Sequence, residues 1–208
     1  LSAIYAHGGN NPVVEDSDFN AITGGGGEAA IRFRDATGGK AKDNRMSLAS
    51  TSQAACVVFM ENMADSEVSG NRSTGGFTGC QVRYNSGNAI HDNWFLSPYG
   101  YGIDANLDTG WVKIHYNRIT NVVAEHGMNI YTYPNGFVND SEIIGNTIIN
   151  AAMSGMYLRG FRLQVSMNRV ADCPIIEGGG ADYNIFGLNI MSGPRGIITV
   201  TGPNSRLV

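Results

Sequence analysis

The sequence predicts an all-β protein, a right-handed single-stranded parallel β-helix of about eight rungs, where a rung is one turn of the coil. Asparagine recurs along the chain at intervals of 27, 22, 24, 29, 22 and 21 residues. An apolar residue stands three positions before most of these asparagines, and another stands two positions after. Helical periodicity never persists beyond a turn, and a period in the twenties without helices is typical of a solenoid. The recurring residues are Asn44, Asn71, Asn93, Asn117, Asn146, Asn168 and Asn189.

The second half of most repeats alternates apolar and polar residues, as a half-buried strand does. Met128 and Ile130, for example, alternate with Asn129 and Tyr131. Strands that recur without crossover helices stack in parallel only if the chain winds round, and at ~4.8 Å per rung the coil would be roughly 38 Å long. We expect each recurring asparagine to take a left-handed bend and to join an amide ladder, with Asp18 in the frame of Asn44. These residues are therefore assigned to structure.

Composition sets the limits on function. The 208 residues include 28 glycines, 42% are hydrophobic and 15% are charged, which fits one folded coil with many turns. Because the chain begins at Leu1 without methionine, residues 1–208 are expected to be a single domain of a longer polypeptide. A net charge of −4 gives no general attraction to nucleic acid, and no apolar run is long enough to span a membrane.

Three cysteines cannot all pair with one another. The repeat predicts equivalent places for Cys56 and Cys80 in adjacent rungs, so we expect them, with Cys173, to be buried free thiols. No spacing matches a metal site, and neither a metal nor a cofactor is predicted.

The repeat carries a family resemblance. Its apolar-x-x-Asn-x-apolar core is followed by a glycine-apolar pair, and together they resemble the carbohydrate-associated parallel β-helix repeats of polysaccharide lyases, C5-epimerases, pectin-acting enzymes and bacteriophage tailspikes. The resemblance extends over residues 13–208. The pairs are Gly102-Ile103, Gly127-Met128, Gly155-Met156 and Gly196-Ile197.

Within this group the chain most resembles a tailspike or tail-fibre receptor-binding domain. The rungs are compact, few long loops build walls around a reaction, and neither end carries an amphipathic capping helix. The resemblance implies a homotrimer in the virion tail, outside the cell, that binds bacterial surface polysaccharide, with or without depolymerase activity. A secreted polysaccharide lyase or C5-epimerase and a structural spike or adhesin stalk are the alternatives.

Alternation predicts two outward columns along the coil. Planar polar groups and aromatic rings at ~4.8 Å intervals suit a sugar chain, but arginine and tyrosine are equally typical of a protein interface or a trimer contact. The first column is Arg32, Val57, Gln81, Asp104, Asn129, Tyr157, and the second is Arg34, Phe59, Arg83, Asn106, Tyr131, Arg159. The predicted carbohydrate-binding residues are Gln81, Arg83, Asp104, Asn106, Asn129, Tyr131, Tyr157 and Arg159.

Other outward residues fit two interpretations each. Arg45, Arg72, Arg118 and Arg169 each follow a column asparagine, either as an acidic-polysaccharide site or as a solvated ridge. His91 and His115 should stack on adjacent rungs as surface histidines. An aromatic platform for sugar is a further prediction, formed by Trp94, Tyr99, Trp111 and Tyr133.

The enzymatic alternative depends on one short segment. Glycoside hydrolysis needs two carboxyl groups, and the two columns contain only Asp104, so binding without hydrolysis is favoured. Tyr101-Gly-Ile-Asp104-Ala-Asn106 resembles the Tyr-Gly-Phe-Asp-Pro-His signature of mannuronan C5-epimerases and related lyases. That resemblance implies catalytic Tyr101 and Asp104, but Asn106 replaces the signature histidine. His126, one rung further on, is the candidate substitute.

Overall fold

The computed structural model describes residues 2–22, 29–48, 56–84, 86–106, 109–131, 137–138 and 140–208. These residues form short strands joined by turns, and none of them is helical. Within these ranges no helix is long and apolar enough to cross a membrane. The strands are β1 Ile4–His7, β2 Val13–Glu15, β3 Asp18–Ile22, β4 Ala29–Arg34, β5 Lys40–Lys42, β6 Arg45–Leu48, β7 Cys56–Glu61, β8 Glu67–Ser69, β9 Arg72–Thr74, β10 Thr78–Arg83, β11 Asn88–His91, β12 Trp94–Leu96, β13 Tyr101–Asn106, β14 Thr109–Gly110, β15 Val112–His115, β16 Arg118–Val122, β17 Met128–Tyr131, β18 Phe137–Val138, β19 Glu142–Ile144, β20 Thr147–Ala151, β21 Met156–Leu158, β22 Gln164–Ser166, β23 Arg169–Ala171, β24 Ile175–Glu177, β25 Ile185–Gly187, β26 Ile190–Ser192, β27 Ile198–Thr199 and β28 Arg206–Leu207.

Three parallel sheets run along the coil, and each rung contributes a strand to each sheet in turn. Sheet 1 has the order β1-β4-β7-β10-β13-β17-β21-β24-β27, and sheet 2 has the order β2-β5-β8-β11-β15-β19-β22-β25-β28. Sheet 3 has the order β3-β6-β9-β12-β16-β20-β23-β26, and β14 pairs with β18 beside the coil. Within each of the three sheets, every strand except the two at the ends therefore lies between the equivalent strands of the rungs before and after it. The predicted parallel β-helix is confirmed.

The core is a stack of like residues inside the coil. In sheet 2 the inward column contains Val68, Ile90, Ile114 and Ile143, each paired with the next across one rung. Sheet 1 contributes Ile103 and Met128, and sheet 3 contributes Ile119 and Ile148. All of these side chains are fully buried in one continuous apolar cluster, which supplies the main stabilisation of the coil.

The recurring asparagines form the predicted ladder at the corner between sheets 2 and 3. Each side-chain amide donates to the amide oxygen of the next asparagine at 2.9–3.0 Å, from Asn44 through to Asn189. Two details of the prediction are wrong. The left-handed residue is the one before each asparagine, such as Asp92 or Tyr116, with φ between 46° and 69°. Ser17, and not Asp18, occupies the asparagine position, because the Ser17 N–H donates to Asn44 Oδ1 and Asp18 pairs with Arg45.

A column of glycines makes the inward bend before sheet 1. A Cβ on Gly102 would lie 2.4 Å from Ile119 Cγ2 and 2.7 Å from the Gly127 carbonyl oxygen, so no side chain fits there. The same holds for Gly127, whose Cβ would lie 2.5 Å from Ile148 Cγ2. Gly196 does not belong to this column, because Ile198 rather than Ile197 pairs with Ile175.

Glu177 joins the last rungs of the coil through hydrogen bonds. Its carboxylate is buried and accepts the main-chain N–H groups of Thr201 and Gly202, both at 2.6 Å, and the Asn184 amide at 2.8 Å. Burial opposes its ionisation, but these hydrogen bonds, with one from Ser205, outweigh that effect and lower the pKa of Glu177.

The three cysteines are buried and free, as predicted. Cys56 and Cys80 are not equivalent, however, since Cys56 pairs with Thr78 and Cys80 with Val58. His91 and His115 do stack on adjacent rungs of sheet 2.

Candidate functional site

The outer face of sheet 1 brings the predicted sugar-binding residues together. Gln81, Asp104, Asn129 and Tyr157 are successive partners in one column. Arg83, Asn106 and Tyr131 are successive partners in the next, and Arg159 follows directly after β21 at its end. The prediction is wrong on one rung, where Phe59 lies between Arg32 and Gln81, and Glu61 between Arg34 and Arg83. Val57 is instead a core residue.

A chain of polar contacts runs across four rungs of this face and converges on Asp104. The Cys56 thiol donates to Gln81 Oε1 at 3.3 Å, and Gln81 Nε2 donates to Asp104 Oδ2 at 2.8 Å. From the other side Asn129 Nδ2 donates to Asp104 Oδ1 at 2.9 Å. Both carboxylate oxygens are therefore occupied, and the two amides are held in fixed orientations.

Three of the eight predicted residues lie beneath the accessible surface. Gln81, Asp104 and Asn106 are only 8%, 4% and 7% exposed. Burial raises the pKa of Asp104, although the bonds from Gln81 and Asn129 and the charge of Arg83 pull it back down. Asp104 is thus placed to orient neighbouring amides rather than to contact a ligand. Gln81 and Asn106 are equally buried, so they too are shielded from direct contact with a ligand.

The accessible rim above this layer consists of Arg83, Asn129, Tyr131, Tyr157 and Arg159, which are half-buried or exposed. Asn106 hydrogen-bonds the Tyr131 hydroxyl from below, while its own Oδ1 is buried without a hydrogen-bond partner in the described part of the chain. The Arg83 guanidinium lies 5.4 Å from the centre of the buried Phe59 ring, which keeps the arginine against the sheet. The rim therefore presents planar donors and aromatic rings in fixed positions.

A third outward column lies beside these two, on the far side of the glycine bend. Tyr101 stacks on His126 at 6.1 Å between ring centres, and His126 stacks on Tyr157 at 5.1 Å and 14°. His126 Nδ1 also lies 2.7 Å from Ser154 Oγ. Simple alternation misses this column, because at the bend two consecutive residues point inward. The only sequence signal is the glycine that directly follows Tyr101 and His126. The next outward residues, Asp104 and Asn129, come two positions after that glycine.

Burial shapes the acid–base properties of this aromatic column. It raises the pKa of Tyr101 to about 12, with help from the charges of Glu125 and Asp104. It lowers the pKa of His126, partly offset by Glu125. At neutral pH the column therefore consists of an un-ionised phenol beside an uncharged imidazole. Within the described ranges no cluster of three or more histidine, cysteine or acidic side chains is suited to hold a metal ion.

The four predicted platform aromatics do not share one place. Trp94 lies on sheet 3, Tyr99 contacts Phe77 near the start of sheet 1, and Trp111 packs with Lys113 of sheet 2. Tyr133 lies outside the described residues.

Comparison with known proteins identifies the family of the chain. The model of the family described as "Right handed beta helix region" matches residues 1–139. The chain belongs to the right-handed β-helix family. No curated protein matches the chain significantly.

One solved structure shows the same coil at low sequence identity. The DFA-IIIase of Arthrobacter chlorophenolicus A6, solved in complex with GF2, superposes with a TM-score of 0.61 at 10% identity, over 91% of this chain and 48% of that one. This chain thus spans about half the length of that enzyme. A tailspike protein of E. coli bacteriophage HK620, in complex with a pentasaccharide, gives a TM-score of 0.38 at 9% identity, over 97% of this chain and 60% of that one.

Proposed function

We propose that the outer face of sheet 1 binds a polysaccharide, with the chain of sugars running along the coil. One observation carries this proposal. The ladder of Gln81, Asp104 and Asn129 fixes an amide, a carboxylate and a second amide on three successive rungs, beside the arginines and tyrosines of the rim. A surface that is already ordered loses little conformational entropy when a ligand binds.

The chemistry of the rim suits sugars. Tyr131 and Tyr157 offer ring surface and hydroxyl groups, and Asn129, Arg83 and Arg159 offer planar donors. The Arg159 Nε group already donates to the Gly179 carbonyl at 3.3 Å, which limits where its guanidinium can reach. Asp104 holds the layer below, is only 4% exposed, and already accepts a hydrogen bond at each carboxylate oxygen. These features favour binding over hydrolysis.

The fuller form of the proposal is a tailspike or tail-fibre domain. In that role the chain would be a homotrimer in the virion tail that adsorbs to bacterial surface polysaccharide. Light scattering should then give three times the mass of the chain. A monomer would count against this form and leave polysaccharide binding itself to the following test.

The test is an array of bacterial surface polysaccharides, followed by titration of the best ligand. Tyr131→Ala and Arg159→Ala should each weaken binding by about tenfold or more. Tyr116→Ala is the matched control, since Tyr116 is 61% exposed and lies at the corner between sheets 2 and 3. An array without ligands, or a ligand that both rim variants still bind normally, would contradict the proposal.

A second candidate function is a polysaccharide lyase or C5-epimerase reaction. The observation in its favour is the stack of Tyr101 on an uncharged His126, because an imidazole of lowered pKa can accept a proton from a sugar carbon. Lyase action would produce unsaturated sugars that absorb near 235 nm, and His126→Gln should abolish that signal. If acidic bacterial polysaccharides give neither unsaturated nor epimerised products, this candidate is excluded.

A further inference from the structure

The outer face of sheet 3 carries a column that is rich in arginine. Asp18, Arg45, Arg72, Trp94, Arg118, Thr147 and Arg169 are successive cross-strand partners in one column. Arg45 and Arg72 are direct partners, and like charges opposite one another on a sheet are destabilising.

Several basic side chains on the other two sheets form ion pairs with acidic residues, and these arginines do not. On sheet 1 Arg32 contacts Glu61 at 2.7 Å, and on sheet 2 Lys40 and Lys113 face Glu67 and Glu142. Within the described ranges, no ion pair involves Arg45, Arg72 or Arg118, although all three are exposed. The ridge is therefore a local concentration of positive charge in a chain whose net charge is −4.

Trp94 orders the guanidinium groups of this ridge. The Arg72 and Arg118 guanidinium carbons lie 5.9 Å and 5.1 Å from the centre of its ring, one from the rung before and one from the rung after. Cation–π contact of this kind occupies the face of a guanidinium and leaves its N–H donors at the edge available. The two arginines are thus held about 10 Å apart, two rungs of ~4.8 Å.

A groove runs along the same face. It has a volume of about 510 Å³ and is lined by Arg45, Arg72 and Trp94, together with small polar residues such as Asn20, Ser47 and Thr74. Asp18 lies at one end of this lining, and Arg118 lies one rung beyond Trp94 outside it. The groove therefore offers guanidinium, hydroxyl and amide groups, with a single carboxylate at one end. Guanidinium groups match carboxylates in a bidentate manner, and the floor matches sugar hydroxyls.

We infer that this groove is a second, separate binding site, and that it takes a uronate-containing polysaccharide lying along the coil. Arg45 and Arg72 in the groove, and Arg118 on the next rung beyond Trp94, bind the carboxylates, while Ser47, Thr74 and Asn20 face the sugar hydroxyls. The site shares no residue with the rim on sheet 1, so it stands or fails independently of the proposed function.

Tryptophan fluorescence gives a readout specific to this face. The chain has two tryptophans, so Trp111→Phe leaves Trp94 as the only reporter. In that background we would titrate uronate hexamers of different stereochemistry (hexagalacturonate, hexamannuronate and a hyaluronan hexamer). At least one should change the fluorescence saturably, with an affinity that falls as salt is added. The fully methyl-esterified hexagalacturonate, which has the same ring without the charge, should bind about tenfold more weakly than the acid if the acid is the ligand.

Variants complete the test. The double variant Arg72→Gln, Arg118→Gln should weaken binding by about tenfold or more. Arg45→Gln should also weaken binding, although it leaves the contacts of Arg72 and Arg118 with the Trp94 ring in place. Arg206→Gln, an exposed arginine of sheet 2, and Tyr131→Ala on sheet 1 should leave it unchanged. The inference is overturned if no uronate binds, if binding survives these groove substitutions, or if a single-stranded hexanucleotide binds as tightly as the best uronate.

Discussion

Removing one asparagine from the middle of the ladder should destabilise the whole coil. Asn117 is buried, and its amide donates to the Ile90 carbonyl at 2.8 Å and to Asn146 Oδ1 at 3.0 Å. Its Oδ1 accepts the main-chain N–H of Asn93 at 3.1 Å and the Asn93 amide at 2.9 Å. Asn117→Ala deletes all of these bonds without altering the main chain.

The size of the effect follows from which groups lose their partners. The Asn93 amide keeps acceptors in Val68 and His91, but the buried Asn93 N–H loses its acceptor and the Ile90 carbonyl loses its side-chain donor. At about 1–3 kcal/mol for the orphaned N–H and about 1 kcal/mol for each of the other hydrogen bonds lost, the free energy of unfolding should fall by about 2–5 kcal/mol. Asn189→Ala, at the half-buried end of the ladder, should cost only about 1 kcal/mol, because water can replace the lost acceptor.

Urea denaturation followed by circular dichroism measures these differences. Asn20→Ala is the control, since Asn20 is exposed on β3, and its effect should stay within about 0.5 kcal/mol. Asn117→Asp should be worse than Asn117→Ala at neutral pH, because a carboxylate oxygen would then face the Ile90 carbonyl. If Asn117→Ala costs no more than Asn20→Ala, the ladder contributes nothing to stability and this reasoning is wrong.

Three further predictions concern packing and pH. Gly102→Ala should lower the unfolding free energy by about 1–3 kcal/mol through overpacking, whereas Gly179→Ala, where a Cβ meets open space, should leave the melting temperature unchanged. The folded-state pKa of Glu177 is lowered, so its contribution to stability is present above its unfolded pKa of about 4.3 and is lost as pH falls through the folded value. Glu177→Gln should therefore remove this loss of stability at low pH when the free energy of unfolding is measured against pH. The pKa of Asp104 is raised, so the opposite sign holds: relative to Asp104→Asn, the wild-type chain should be most stable below about pH 3.9 and lose that advantage as pH rises through the folded pKa. A flat difference between wild type and Asp104→Asn over pH 3.5–8 would show that Asp104 titrates alike in both states.

Most of the fold could be predicted because the residues that face inward recur with the period of the coil. The asparagine interval gave the rung, and alternation in strands such as Met128–Tyr131 gave the direction of each side chain. The register failed at β7, where Cys56, Val57, Val58, Phe59 and Met60 are all apolar, so alternation cannot say which of them points outward. Pairing with β10 decides that question, and it is visible only in three dimensions.

The candidate site was predicted less completely, for a different physical reason. Alternation assigned Gln81, Asp104 and Asn106 to the outer face correctly, but direction does not determine exposure. Their polar groups bind one another across rungs and so become the support for Tyr131 and Tyr157. Whether those tyrosines contact sugar stays a prediction.

The ladder also has a consequence for how the coil assembles. Its bonds join residues only 21 to 29 positions apart, one rung to the next, however long the coil becomes. Folding can therefore start at any well-formed pair of rungs and spread as a zipper does, since each new rung needs only its neighbour as a template. A substitution such as Asn117→Ala would then slow the spread of folding from one rung to the next. The rungs before it and the rungs after it would fold and unfold independently of each other.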